Sequence, residues 1–323
     1  MSLLSRVPAT PPVLMRRLTI ANLVAQIGIG VTGSVVRVTG SGLGCSTWPQ
    51  CEPGSMVPVD HAEIAPLHMW IEFSNRLLGI LVVLFAGAAL LGALFTRPRR
   101  RRLTALALAM PLGVVAQAVI GGITVLLGLA WWTVMLHFLA SMVLVWFSVL
   151  FVGAATEGDG PVTRTVPAAG RGLVLLSTAV LAVLLVAGTL VTAAGPHGGD
   201  PQTPRLDVPI PFLAQLHADA LFLYLGTLVG LGFLLHAVAA PPRLLRRFRV
   251  LVVVVLAQGA LGGIQYALGV PELLVSLHVL GAGLTAAAAA GVWAGTATRP
   301  AAAGPRTPAP AGSTAPEPAT APV

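Results

Sequence analysis

Charge is scarce in this sequence. Only 9% of its 323 residues are charged and 56% are hydrophobic, against about 25% charged in soluble chains. That balance excludes a water-soluble globule. Lysine is absent; all 19 basic residues are arginines, and the formal net charge is +8. The arginines cluster in breaks between apolar runs rather than along a face interleaved with aromatics, which argues against nucleic acid as a partner. Cysteine occurs twice, at Cys45 and Cys51 in one loop. A small-x-small cleavage pattern is missing after the first apolar run, so that run reads as a retained span rather than a signal peptide. No span is broken in its middle, which disfavours a transporter of polar solutes.

What is present is a succession of apolar runs long enough to cross a bilayer. They cover about 16–36, 67–95, 104–127, 132–155, 172–194, 212–238, 250–270 and 273–294. Arg97, Arg99, Arg100, Arg101 and Arg102 follow the second, and Arg243, Arg246, Arg247 and Arg249 follow the sixth. By the positive-inside rule these breaks are cytoplasmic, so eight spans place both termini inside the cell membrane. The expected fold is an all-α integral membrane protein of eight transmembrane helices in two pseudo-symmetric four-helix bundles. The division runs as a cytoplasmic segment 1–15, an N-terminal bundle 16–155 with an outer loop 37–66, a linker 156–171, a C-terminal bundle 172–297, and a tail 298–323. That tail is Ala/Pro/Thr-rich and reads as disordered.

The two bundles come from an internal repeat. Gln117-Ala-Val-Ile-Gly-Gly-Ile-Thr-Val-Leu-Leu-Gly128 reappears as Gln258-Gly-Ala-Leu-Gly-Gly-Ile-Gln-Tyr-Ala-Leu-Gly269. The offset is 141 (258 minus 117), and the next histidines, His137 and His278, are again 141 apart. Each half starts and ends on the same side, so the repeat is parallel. Gly33-Ser-Val-Val and Gly188-Thr-Leu-Val form a weaker pair with an offset of 155 (188 minus 33), so the first outer loop is the longer one. The patterns Ala118-x-x-x-Gly122 and Gly259-x-x-x-Gly263 also suit close helix approach.

His137, His217 and His278 each lie about six residues from the outer end of their span, on the order of 9 Å below the surface. Ionisable residues at membrane depth read as functional, and paired imidazoles on facing helices suit the two axial positions of a haem iron. His236 lies near the inner end; His61 and His197 fall in outer loops and read as interfacial or solvated. The second span carries His68, Glu72, Asn75 and Arg76 on one helical face. Glu72 and Arg76 suit either a structural ion pair or a carboxylate that moves protons or steadies a developing cation. The outer loop also holds Glu52, Asp60 and Glu63. Cys45 and Cys51, on the oxidising face, are expected to form a disulfide, either structural or redox-active.

The stretch Arg37-Val-Thr-Gly-Ser-Gly-Leu-Gly-Cys-Ser-Thr-Trp-Pro-Gln-Cys51 closely resembles the first outer loop of bacterial haem A synthases of the cysteine-containing type. Ile71-Glu-Phe-Ser-Asn-Arg76 is similar to that family's Glu-x-x-His-Arg motif on the second span. His137, His217 and His278 fall where the family places histidines, and the resemblance covers everything but the tail. It implies an oxidoreductase that converts the ring D methyl group of haem O to a formyl group by successive hydroxylations, in cytochrome oxidase assembly. It implies a haem b cofactor on His217 and His278, and a substrate haem site at His137 with Glu72 catalytic. Asn75 departs from the pattern: the family has histidine there, so the substrate iron has either His137 alone or His68 as a substitute, with Arg76 nearby. Implied partners are haem O, haem O synthase, the oxidase assembly machinery and lipid; a homo-oligomer is left open. The competing readings are a diheme cytochrome b-type electron-transfer protein and a non-catalytic haem carrier or chaperone. Glu72 separates them, because a carrier has little use for an intramembrane carboxylate.

Overall fold

The computed structural model describes residues 8–59 and 65–300, so Asp60, His61 and Glu63 lie outside the described residues, as do 1–7 and 301–323. The eight expected spans are eight helices: α1 (Pro12–Val38), α2 (Pro66–Leu94), α3 (Arg101–Leu126), α4 (Trp131–Thr156), α5 (Ala168–Ala194), α6 (Ile210–Ala237), α7 (Pro242–Ala267) and α8 (Glu272–Gly295). All eight are long and apolar enough to cross a membrane, and the chain is a multi-pass membrane protein. Proline sets many of the starts. Pro12, Pro66 and Pro242 are the first residues of α1, α2 and α7, where a missing N–H costs nothing and the fixed φ is already helical.

Several helices begin earlier than the apolar runs. α7 starts at Pro242 rather than near Val250, and takes Arg243, Arg246, Arg247 and Arg249 into its first turns. α1 starts at Pro12, four residues before Arg16. Hydropathy marks only the segment that sits in hydrocarbon, whereas arginine is a good helix former in water too. With about 1.5 Å of rise per residue, helices of this length overrun a hydrocarbon core of about 30 Å.

Packing follows the repeat. α1 to α4 close into a four-helix bundle in which each helix packs along two neighbours; α5 packs on α6 and α7 on α8. The two halves meet where α1 and α4 lie against α8, around Met142, Val145 and Ala286, with Leu23, Ile27 and Phe138 packed on them. The α3–α4 and α7–α8 turns are near copies. Gly128 and Leu129 in one, and Gly269 and Val270 in the other, all have positive φ. The N–H of Leu129 reaches the Thr124 carbonyl at 2.9 Å and that of Val270 the Gln265 carbonyl at 2.8 Å. In each turn a six-residue C-cap closes the helix, and the residues involved are again 141 apart.

The halves differ in one respect that positions the site. α2 packs extensively along α3, but the equivalent α6 and α7 barely touch, and α5 meets α8 only lightly. The two hairpins of the C-terminal half therefore meet only sparsely, although residues of all four helices share one buried core. That core runs mainly through Tyr224, Leu228, Leu231, Leu235, Leu244 and Leu251, toward the arginine-bearing end. The N-terminal core, with Val82, Ala86, Ala89, Leu103 and Phe151, fills the same end. The histidines lie toward the other.

At the arginine end, Arg102 pairs with Glu157 at 2.6 Å and Arg100 with Asp159 at 3.2 Å. The only strands among the described residues are β1 (Thr163–Arg164) and β2 (Ala297–Thr298), an antiparallel pair joining the linker to the chain after α8. At the opposite end, the Gly42 N–H donates to the Gly199 carbonyl at 2.7 Å. Arg37 donates to the His197 carbonyl at 2.8 Å, and the His197 ring donates through Nε2 to the Val270 carbonyl at 2.8 Å. His197 is thus half-buried and bonded rather than solvated; the fold of two distant loops onto each other removes it from water. Arg205 caps the end of α5 through the Gly195 carbonyl, and its burial lowers the guanidinium pKa from the ordinary value.

Candidate functional site

In the C-terminal half, His217 sits in the second turn of α6 and His278 in the second turn of α8. Their ring centroids are 6.4 Å apart with planes inclined at 70°. A metal–imidazole bond of about 2 Å on each side, plus about 1 Å from nitrogen to ring centre, places two trans imidazoles about 6 Å apart. The observed spacing therefore admits one iron between them.

The surroundings select the imidazole geometry. The Leu184 carbonyl on α5 lies 3.1 Å from His217 Nδ1. Since a carbonyl only accepts, it fixes the Nδ1–H tautomer and leaves the Nε2 lone pair for a metal. His278 Nδ1 is buried with no hydrogen-bond partner. Glycines give both rings their place: a Cβ on Gly188 would lie 2.9 Å from His217 Cε1, and one on Gly262 2.9 Å from His278 Cε1. Gln258 on α7 donates to the His278 carbonyl at 2.8 Å, while its own Oε1 is buried without a partner.

The N-terminal half repeats half of this arrangement. His137 lies in the second turn of α4, and a Cβ on Gly121 of α3 would meet its Cε1 at 3.2 Å. Gln117 donates to the His137 carbonyl at 3.0 Å and also to Ser141 Oγ. Both His137 Nδ1 and Gln117 Oε1 are buried without partners, as in the other half. Where His217 has its counterpart stands Asn75. Its Oδ1 accepts from the Thr32 hydroxyl of α1 at 2.7 Å. His68 is half-buried in the first turn of α2, and its carbonyl lies so near Gly44 that a side chain there would collide with it.

Glu72 is 5% exposed, and donors face both its oxygens. Arg76 reaches Oε1 through Nη2 at 2.7 Å and Nε at 3.2 Å, and the Cys45 N–H reaches Oε2 at 2.7 Å. The same Arg76 donates to the carbonyls of Thr47 and Gln50 at 3.0 Å. Cys45 and Cys51 are joined in a disulfide and both are buried. Between them Trp48 packs flat on α3 at Gly122, where any side chain would collide with the indole. The disulfide loop thus lies along the α2–α3 side of the bundle, the side that stands open between α6 and α7. Ser46 donates to Glu52 at 2.6 Å within the loop.

The sequence-derived residues therefore fall into two groups: His217 with His278, and Glu72 with Arg76 and the Cys45–Cys51 loop. His137 on α4 and Asn75 on α2 share no hydrogen bond: Asn75 accepts from Thr32 and His137 Nδ1 has no partner. Thr32 and the Leu184 carbonyl were not legible as site residues, since neither carries a signal before its partner is placed. The spacing marked Gly122 and Gly263 as helix-packing residues and gave no role to the preceding Gly121 and Gly262, which meet the histidine rings.

Comparison with known proteins gives two matches. Residues 16–196, more than half of the chain, match the family described as cytochrome oxidase assembly protein. A heme A synthase from Symbiobacterium thermophilum is 30% identical over 146 residues, which cover 45% of this chain and 46% of that protein. The match thus spans less than half the length of that relative. The family match reaches through α5 and stops before His217 and His278.

Proposed function

Because this chain belongs to the cytochrome oxidase assembly protein family, we propose that it is a haem A synthase of the cell membrane, oxidising the ring D methyl group of haem O to a formyl group by successive hydroxylations. The single observation that carries the reading is the His217–His278 pair, whose 6.4 Å ring separation and fixed tautomer suit a haem b cofactor. When bound, that haem supplies one-electron transfer between substrate and an external acceptor. The protein's part is orientation: the Leu184 carbonyl and the two glycines aim the imidazoles.

The N-terminal bundle takes haem O, with His137 toward its iron. Glu72 lies on α2, diagonally across the bundle from α4, with donors on both oxygens, an arrangement that suits the ionised carboxylate. A negative charge fixed in a low-dielectric site steadies positive charge that develops as the methyl carbon is oxidised. Arg76 holds that carboxylate in place and ties it to the disulfide loop. With the arginine end cytoplasmic, both termini lie inside and the disulfide loop faces the oxidising side. Haem O synthase and the oxidase assembly machinery are the partners this role requires.

The test is haem extraction from membranes of cells that make haem O, with and without this chain, followed by chromatography of haems B, O and A. Haem A or its hydroxylated precursor, present only with the chain and lost in Glu72→Gln, supports the synthase. Unchanged haem O, with a purified protein that still carries haem B, would instead favour electron transfer or haem carriage.

A further inference from the structure

The two halves differ most at one spot. In the C-terminal half, Gly188 lies directly against the His217 imidazole. In the N-terminal half the corresponding glycine, Gly33, has no atom within 4 Å of where a Cβ would stand. The volume filled by a ring in one half is unfilled in the other. Asn75, the counterpart of His217, is turned toward α1, and Thr32 donates to its Oδ1 at 2.7 Å. Between α1 and α2, Thr32 and Asn75 line a recess of about 330 Å³ together with Val35, Val36 and Ser74 among others. An amide nitrogen carries no basic lone pair, and the amide oxygen already accepts from Thr32, so Asn75 is no substitute for an imidazole.

The opposite side is intact. His137 keeps its glycine, its glutamine and a buried Nδ1, as His278 does. His68 does not restore the missing ligand. It lies seven residues before Asn75 on α2, about 10 Å along the axis, and Gly44 pinned on its carbonyl keeps that turn from shifting.

We propose that the N-terminal half holds haem iron through His137 alone, leaving a coordination position that Asn75 does not fill and that accepts a small exogenous ligand such as carbon monoxide or imidazole. The inference rests on the reading that this half takes haem. It makes the two halves chemically distinct: one saturated by protein, the other able to bind and release at iron.

The test is titration of the purified full-length chain with haem B in detergent, followed by absorption and electron paramagnetic resonance spectra and carbon monoxide binding after reduction. The expected result is two haems per chain, one low-spin and one high-spin, with one carbon monoxide bound per two haems. Added imidazole converts the high-spin signal to low-spin. Asn75→His abolishes carbon monoxide binding and makes both haems low-spin, while His137→Ala removes the reactive haem. Two haems per chain, both low-spin and unreactive in the unaltered protein, would overturn this inference and leave the two-haem reading standing. Carbon monoxide binding that persists in Asn75→His would overturn it as well. A single haem per chain at saturation would overturn both.

Discussion

The Glu72–Arg76 pair carries the connection between the membrane site and the disulfide loop, and its energetics can be worked from the geometry. Arg76→Met keeps most of the side-chain volume but removes the 2.7 Å bond to Glu72 and the bonds to the Thr47 and Gln50 carbonyls. Glu72, 5% exposed, is left with the Cys45 N–H alone. Removing one partner of a buried pair costs about 3–5 kcal/mol, because the other charge stays desolvated. For a chain of this size that corresponds to a fall in Tm on the order of 5–10 °C. Glu72→Gln removes the charge and retains an acceptor, so its cost is smaller, about 1–2 kcal/mol. The double variant no longer strands a carboxylate, and it is expected to be more stable than the sum of the single effects by about 2 kcal/mol. Thermal unfolding of the four proteins in one detergent measures this coupling, and limited proteolysis reports whether residues 45–55 come loose in Arg76→Met. Strict additivity, within about 0.5 kcal/mol, would refute the argument and make the pair a solvated contact.

Three further outcomes follow from the site. Gly188→Val drives a branched side chain into the His217 ring and is expected to remove most of the C-terminal haem from the purified protein, whereas Gly33→Ala, with open space around it, leaves haem content unchanged. Gln258→Leu frees the His278 carbonyl and lets the imidazole rotate, so the low-spin electron paramagnetic resonance g-values shift while haem stoichiometry stays near the original. Arg37→Gln cuts the link from α1 to the His197 carbonyl; hydrogen exchange of residues 197–200 is expected to rise about tenfold or more, as one charge-assisted bond is worth roughly 1.5–3 kcal/mol.

The fold was legible because membrane helices obey two rules that act on local sequence: backbone groups must be satisfied within the segment, and arginines concentrate in the breaks on one side. The repeat added the pairing, since Gln117 and Gln258, then His137 and His278, keep one spacing. What the sequence did not carry was anything defined by two distant residues. The Thr32–Asn75 bond joins positions 43 apart, and nothing in either residue announces the other. Small-xxx-small spacing marks Gly122, Gly259 and Gly263 as helix-packing residues, but no spacing marked Gly121, Gly188 and Gly262, which lie against imidazoles. The separation of α6 from α7 was also invisible, because their apolar patterns resemble those of α2 and α3.

The most direct test of the account is the haem content and spectrum of four purified proteins: the unaltered chain, His217→Ala, His278→Ala and His137→Ala. The account predicts a low-spin, bis-imidazole haem in the unaltered chain and in His137→Ala, and its loss in both C-terminal variants. Retention of that haem in His217→Ala and His278→Ala, or equal loss in all three variants, would contradict the division of the molecule into a saturated cofactor site and a separate substrate site.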